Sequence, residues 1–493
     1  MRRYLLLPVL VGVFCVALLP RTLDLGTFLS PDEPRWYENT LGFREGILTG
    51  NLRKLYQQPH PGITTMWLSW PTIESSSWMV RKLPHAIGVS VLVVVGAWLA
   101  VRLWGIPIGV ATGFLLAINP LAIAHARVLA MDALLGGFLL TSVLALLRWR
   151  TESRARWLVV SGALGALAAL SKLAGAVIVP FTLCAILGVG LRRKFSWQEF
   201  LRAMGWWAGS AVATTIVVFP TVLVYPTMVF EELRAFFLTE HYQGAVHALG
   251  PRWYAEALLL WITPLHLFAL LGIPFVFRSS SKHRADIGIL AAFAALFFLV
   301  MQVSVKKGDR YLLPSFLFFD VLAVLLLATL LTAWRQRQAL QRAAVAGVTM
   351  LVGWQVVTLV RLHPYELAYR NPFFRRVALH RPMGWGEGLD LAAAYLNAKP
   401  NSEALLVASY YEGPFSYRFR GQVTSAERLA KETPEEIGVN YVVLYRTMVG
   451  RAPDRWETKV LQKFTNQQPE HVISINREEY AWIYRVERSR INS

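Results

Sequence analysis

Long apolar runs, broken by short stretches rich in Arg, Lys, Pro and Ser, occupy the chain to about residue 362 and then cease. Runs long enough to cross a bilayer, or nearly so, fall at about 4–20, 84–104, 106–123, 129–149, 156–170, 174–191, 203–225, 254–277, 285–304, 311–333 and 342–362. A spanning helix needs about 20 apolar residues, so 156–170 and 174–191 read as short, tilted or broken spans. The pattern predicts an α-helical polytopic membrane protein of about eleven transmembrane helices. After 362 the periodicity changes. Leu389–Asn397 reads as a helix, and Ala404–Ser409, Tyr441–Tyr445, His471–Ile475 and Tyr480–Val486 read as strands. The expected organisation is a transmembrane domain over 1–362 and a small α/β domain over 363–493.

Charge gives the expected orientation. Arg148–Arg156, Arg192–Lys194, Arg278–Arg284 and Arg335–Arg342 lie in alternate loops and, with Arg2 and Arg3, place the N-terminus in the cytoplasm. An odd number of spans puts the C-terminal domain outside, at the cell (plasma or inner) membrane. Lys306-Lys307-Gly308-Asp309-Arg310 breaks the rule, since it falls in an outer loop, and such a cluster suits a phosphate. The first outer loop, 21–83, reads as short amphipathic helices at the interface, and 226–253 reads as a second outer loop.

Composition narrows the class. The chain is 55% hydrophobic and 16% charged, which excludes disorder and an ordinary soluble enzyme. A net charge of +19 would suggest nucleic acid in a soluble protein, but here it follows the positive-inside pattern, and that partner is rejected. Cys15 and Cys184, both in apolar runs, provide neither a disulfide framework nor a cysteine metal site. The first run lacks a small-x-small cleavage site and reads as an uncleaved span. No internal repeat is visible.

The chemistry-bearing residues collect near the predicted outer ends of the spans. Asp32 and Glu33, in Ser30-Pro31-Asp32-Glu33-Pro34-Arg35, sit where the chain leaves the first span. Carboxylates there either deprotonate an acceptor hydroxyl or cap the next helix. Arg35 would pair with them or hold an anion. His60, between prolines in Gln57-Gln58-Pro59-His60-Pro61-Gly62, is a surface residue or a phosphate ligand. Asp132 heads the fourth run, as a helix-start acid or an interior site acid. Lys172, between the two short runs, reads as snorkelling to the interface, with a supporting role in the site as the alternative. Arg310 and Tyr311, in Arg310-Tyr311-Leu312-Leu313-Pro314, anchor the tenth span or, with Lys306 and Lys307, grip a phosphate. No P-loop, H-E-x-x-H or G-x-S-x-G motif occurs.

With these pieces placed, the chain resembles the GT-C class of integral membrane glycosyltransferases. The nearest branch holds bacterial protein O-mannosyltransferases and the lipid A aminoarabinose transferase (dolichyl-phosphate-mannose-protein mannosyltransferase-like). Asp32-Glu33-Pro34-Arg35-Trp36 resembles the family's D-E-x-R-Y, and Pro59-His60-Pro61-Gly62 its K-P-P or H-P-P turn. Asp132 resembles its acid at the head of the fourth span, and Arg310-Tyr311-Leu312-Leu313-Pro314 its R-Y-x-x-P. His363–Pro372 and Gly384-Trp385-Gly386-Glu387-Gly388 resemble the end of the membrane region in bacterial members, so the resemblance covers about 1–400. Gly62 departs from it, standing where a second proline is common.

The resemblance implies inverting transfer of a hexose or pentose from a polyprenyl-phosphate donor at the outer face. Asp32 would be the base, Glu33 its support, and Arg35, His60, Arg310, Tyr311, Lys306 and Lys307 the phosphate-binding groups. Asp132 and Lys172 would support the site. The acceptor would be a protein, lipid or glycan hydroxyl. No cofactor is required by the pattern; a divalent metal near Asp32 and Asp132 is left open. A proton-coupled transporter, and a non-catalytic scaffold displaying the C-terminal domain, are the rival readings.

Overall fold

A computed structural model describes residues 6–246, 252–279, 281–304, 307–375, 384–449 and 455–486. The chain forms two compact units, Met1–Leu23 with Trp36–Leu359, and Asp24–Arg35 with Val360–Ser493. The segment 24–35, which the sequence assigns to the membrane domain, therefore belongs with the C-terminal unit. It runs through turns into the helix that begins at Glu33, and two of its carbonyls, Gly26 and Thr27, are met by that unit's side chains. Arg418 donates from Nη2 to Gly26 O at 2.6 Å and from Nε to Thr27 O at 3.0 Å, and the Tyr417 hydroxyl donates to Gly26 O at 3.2 Å.

The first unit runs α1 (Leu6–Thr22), α2 (Glu33–Thr49), α3 (Ile63–Ser69), α4 (Trp78–Trp104), α5 (Ile106–Ala117), α6 (Pro120–Ala126), α7 (Asp132–Glu152), α8 (Ala155–Ser171) and α9 (Ile178–Arg193). It continues through α10 (Trp197–Val218), α11 (Thr221–Val224), α12 (Pro226–Val246), α13 (Trp253–Trp261), α14 (Pro264–Arg278), α15 (Arg284–Val303), α16 (Leu313–Ala333) and α17 (Gln338–Leu362). Among the described residues, 6 helices are long and apolar enough to cross a membrane, or 8 if each of two bent pairs is one span; α1 and α8 are shorter apolar helices.

Two of the expected straight spans are bent. The run 106–123 turns by 59° between α5 and α6, and 254–277 by 113° between α13 and α14. Each break carries a polar cap followed by proline, Asn119-Pro120 and Thr263-Pro264. The cap side chains accept the Ala122 and His266 N–H groups, and proline has no N–H with which to continue the preceding helix. The stretch 226–253, expected as a loop, begins with the helix α12; the charges at Glu231, Glu232 and Arg234 had kept it out of the apolar count.

One buried polar cluster ties both bends to α16. Asp320 accepts the Asn119 amide at 2.7 Å and pairs with His266 Nε2 at 2.8 Å. Because the Thr263 N–H donates to His266 Nδ1, the ring proton is on Nε2 and donates to Asp320. All three side chains are at most 1% exposed, so each relies on the others for its hydrogen bonds.

In the second unit a five-stranded sheet is built from β1 (Leu406–Ser409), β2 (Gln422–Ser425), β3 (Tyr441–Tyr445), β4 (His471–Ile475) and β5 (Glu478–Arg485), in the order β2-β1-β3-β5-β4. β1 is parallel to β2 and β3, whereas β5 is antiparallel to β3 and β4. Every residue of β3 is buried, because both sheet faces are covered. Val443 and Tyr445 join the layer with α18 (Leu389–Asn397) and α19 (Glu412–Ser416); Val442 and Leu444 face α21 (Trp456–Phe464), the helix that follows the short α20 (Pro434–Ile437). Strand β2, Gln-Val-Thr-Ser at the edge, has too few apolar positions to show in the sequence pattern.

Candidate active site

Within the second unit, Ser30–Glu33 forms the turn that starts α2. The Glu33 carboxylate, fully buried, accepts the Ser30 N–H at 2.7 Å, and the Glu33 N–H returns to Ser30 O at 3.2 Å. Glu33 is therefore a helix-start acid, the simpler of its two expected roles, and this fixes the shape of the turn. Asp32, beside it, stays half-buried, and Arg35 is exposed. The Gly384–Gly388 turn seats this segment. Gly386 has φ +100°, and a Cβ there would lie 2.2 Å from Leu29 O. Its neighbour Glu387, buried, accepts the Trp385 N–H at 2.6 Å, and burial raises its carboxyl above the ordinary range.

Within the first unit, Asp132, the first residue of α7, is 1% exposed and sits between two cations. Lys172 Nζ lies 2.8 Å from Oδ1, and Arg310 Nε 3.5 Å from Oδ2. Lys172 follows the last residue of α8 in extended conformation, and its ammonium rests 3.6 Å from the centre of the Tyr311 ring. It does not snorkel: at 6% exposure it is buried and paired with Asp132 forty residues away. Tyr311 is half-buried, and the Arg310 side chain remains 28% exposed.

Lys307 faces elsewhere. Its ammonium donates to Gln302 O at 2.7 Å and Ser304 O at 3.1 Å, the carbonyls at the end of α15, and burial lowers its pKa. Those bonds make Lys307 a cap of the α15 C-terminus. Lys306 lies outside the described residues. His60 packs edge-on against Phe236 of α12, with the ring centres 4.4 Å apart.

The turn after His60 does reach the ion cluster. The Gly62 N–H donates to Ser171 O at 3.1 Å, Thr64 Oγ1 and Ser171 Oγ lie 2.6 Å apart, and the Thr65 hydroxyl donates to Ala130 O at 3.3 Å. Gly62 has φ +55°, and a Cβ there would meet the Trp36 ring at 2.1 Å. A proline, held near −65°, cannot take that backbone and has no N–H for Ser171, which accounts for the departure from the family pattern.

A groove of about 760 Å³ is lined by Leu68, Pro84, Ile87, Leu134, Phe138 and Val217, and also by Thr64. It is almost wholly apolar, and Thr64 bonds to Ser171, the neighbour of Lys172. Apolar walls of this kind suit a hydrocarbon chain. Among the buried ionisable residues not anticipated are Lys82, His85 and His125. The two histidines lie within electrostatic reach of Asp132. The spacing of Lys82 and His85 puts both on one face of α4, and that was the available signal.

Among the described residues no three His, Cys, Asp or Glu side chains gather as a metal site. Both Asp132 oxygens face cations, so these residues do not fit a divalent ion at Asp132.

Residues 63–225 match the family model of dolichyl-phosphate-mannose-protein mannosyltransferase. No curated protein matches the chain in sequence. ArnT from Cupriavidus metallidurans is similar in its apo state (TM-score 0.52, 17% identity, 96% of this chain and 97% of that one). Its undecaprenyl phosphate complex gives a TM-score of 0.50 at 18% identity over 96% and 97% of the two chains. The apo Archaeoglobus fulgidus oligosaccharyltransferase has a TM-score of 0.51 at 15% identity, over 94% of this chain and 72% of its own. With the mannosyltransferase match over residues 63–225 and the ArnT-like fold over nearly the whole chain, this is a multi-pass membrane protein of the GT-C glycosyltransferase fold.

Proposed function

We propose that the protein is an inverting glycosyltransferase that moves a sugar from a polyprenyl-phosphate donor to an acceptor hydroxyl at the outer face of the membrane. The observation that carries this reading is an apolar groove whose lining residue Thr64 bonds to Ser171, the neighbour of Lys172 in the Lys172–Asp132–Arg310 cluster. The groove suits a prenyl chain and the cluster its phosphate. The complex of ArnT with undecaprenyl phosphate, at the same fold, supports that class of donor. The site end of α7 would be outside, as the basic loops suggest, with the N-terminus cytoplasmic and the C-terminal unit outside.

In this mechanism Asp32 takes the acceptor hydroxyl proton as the oxygen attacks the anomeric carbon, and the lipid phosphate leaves from the opposite face. Glu33 holds the turn that presents Asp32. Arg310, partly exposed, neutralises the departing phosphate, and Lys172 holds Asp132 in place beside it. Tyr311 packs on Lys172 and fixes its direction. A transporter would be expected to carry its ionisable site near the bilayer midplane, and the buried Asp320–His266 pair is the feature that would serve one. That pair already caps two helix breaks through Asn119 and Thr263.

The test is Asp32→Asn in purified, lipid-reconstituted protein supplied with polyprenyl-phosphate sugars. General-base catalysis contributes about 10²–10⁴-fold. Turnover should fall by about that factor while donor binding persists. Near-normal turnover per folded molecule overturns the assignment, and ion-driven uptake by the same vesicles would favour a transporter.

A further inference from the structure

At the other end of α7 lies a second cavity, of about 750 Å³, lined by Arg150, Arg192, Arg193, Lys282 and Arg284. These five cations come from three separate stretches: the last turn of α7, the last turn of α9, and the start of α15 with the loop before it. Like charges in one cavity repel unless an anion joins them. The nearest acid, Asp286, is already engaged: it pairs with Arg150 and accepts the Trp104 N–H at 2.9 Å. Glu152 is held by Arg148, Arg156 and Trp157. Arg193 donates to Arg150 O and Ser153, both uncharged acceptors. Among the described residues, Arg192, Arg193, Lys282 and Arg284 pair with no carboxylate.

The rest of the lining shows what kind of anion fits. Ala185 and Gly188 of α9 and Ala285 and Gly288 of α15 line the same cavity with Phe277, and these small residues leave a slot with room for a chain between the two helices. Leu183, Leu187 and Leu191 of α9 are 42%, 47% and 73% exposed and present an apolar face nearby. A free phosphate would meet the cations and leave the slot empty. A lipid would fill both. Arg150 and Asp132 stand about 27 Å apart along α7 at the helical rise, close to the thickness of a bilayer core. A headgroup here thus lies at the opposite interface from the Asp132 cluster.

We propose that this cavity binds an anionic phospholipid, with its phosphate among Arg192, Lys282 and Arg284 and an acyl chain in the slot between α9 and α15. The proposal stands apart from the transferase reading, since it needs only the cavity, the uncompensated charge and the membrane setting.

Native mass spectrometry of the delipidated full chain in detergent tests it, with phosphatidylglycerol, phosphatidylcholine, inorganic phosphate and undecaprenyl phosphate added separately. Phosphatidylglycerol should bind more tightly than phosphatidylcholine. Replacing Arg192, Lys282 and Arg284, all exposed, by Gln should weaken it about a hundredfold, at about fivefold per charge removed. Gly188→Trp fills the slot without changing charge, in a place where a Cβ meets nothing within 4 Å, and should also abolish tight binding. Wild-type affinity in the triple variant overturns the proposal. So does undiminished binding in Gly188→Trp, which would leave only general surface attraction. Displacement of phosphatidylglycerol by equimolar inorganic phosphate or undecaprenyl phosphate would overturn it by assigning the site to that anion.

Discussion

Replacing Asp132 by Asn removes one charge from the Lys172–Asp132–Arg310 cluster and keeps its shape. Lys172, 6% exposed, then loses the carboxylate oxygen 2.8 Å away, and Arg310 loses the weaker contact at 3.5 Å. Removing one partner of a buried ion pair costs about 3–5 kcal/mol, because the other charge stays in a poor dielectric. The Arg310 contact, partly exposed to solvent, adds about 1 kcal/mol at most. The face of the Tyr311 ring is already against Lys172 and offers no new compensation. Asp132→Asn should therefore lose about 3–5 kcal/mol in equilibrium unfolding in detergent, a large part of the roughly 5–15 kcal/mol typical of folded domains. Lys172→Met should be costly too, since it leaves Asp132 buried with only Arg310. The double variant removes both charges and should recover most of the loss. A double-mutant cycle over the four proteins reads the coupling directly. If the two losses simply add, or if Asp132→Asn stays within about 1 kcal/mol of wild type, the pair is not a buried, coupled ion pair and the cluster has been misread.

Three further outcomes are expected. Gly62→Pro should destabilise the protein by about 3 kcal/mol or more, because it forbids the observed φ and removes the bond to Ser171; an unchanged unfolding midpoint would refute the left-handed turn. Gly386→Ala should push Leu29 O aside and shift the Ser30–Glu33 turn, so transfer should fall while the melting temperature of the membrane unit holds; unchanged transfer would separate that turn from catalysis. Burial raises the Glu387 carboxyl from 4.5, so the folded protein keeps this proton to higher pH than the unfolded chain does. Its contribution is present below about pH 4.5 and is lost as pH rises through its folded value. Glu387→Gln should remove that downward slope in unfolding midpoints of the full chain, and a slope that persists would assign it to other groups.

Periodicity is a local property, and what it governs was legible in the residues alone. A helix occupies each of the eleven apolar runs, and α18, β3 and β4 have the expected bounds. The helix breaks were half legible: Asn119-Pro120 and Thr263-Pro264 announce a cap and a stop, but nothing local shows that Asp320 would tie both to α16. The acids of the candidate site could be picked out because charge is costly beside hydrocarbon; their partners could not. Lys172 read as snorkelling until α8 brought it to Asp132, and the segment 24–35 as part of the membrane domain until Arg418 and Tyr417 claimed two of its carbonyls; that Lys307 would meet the carbonyls ending α15 was likewise not visible in the sequence. Hydrophobic patterning sets which residues leave water. Which polar groups then meet depends on residues far apart in the chain, because a buried charge or carbonyl must find its partner wherever the packed helices and strands place one.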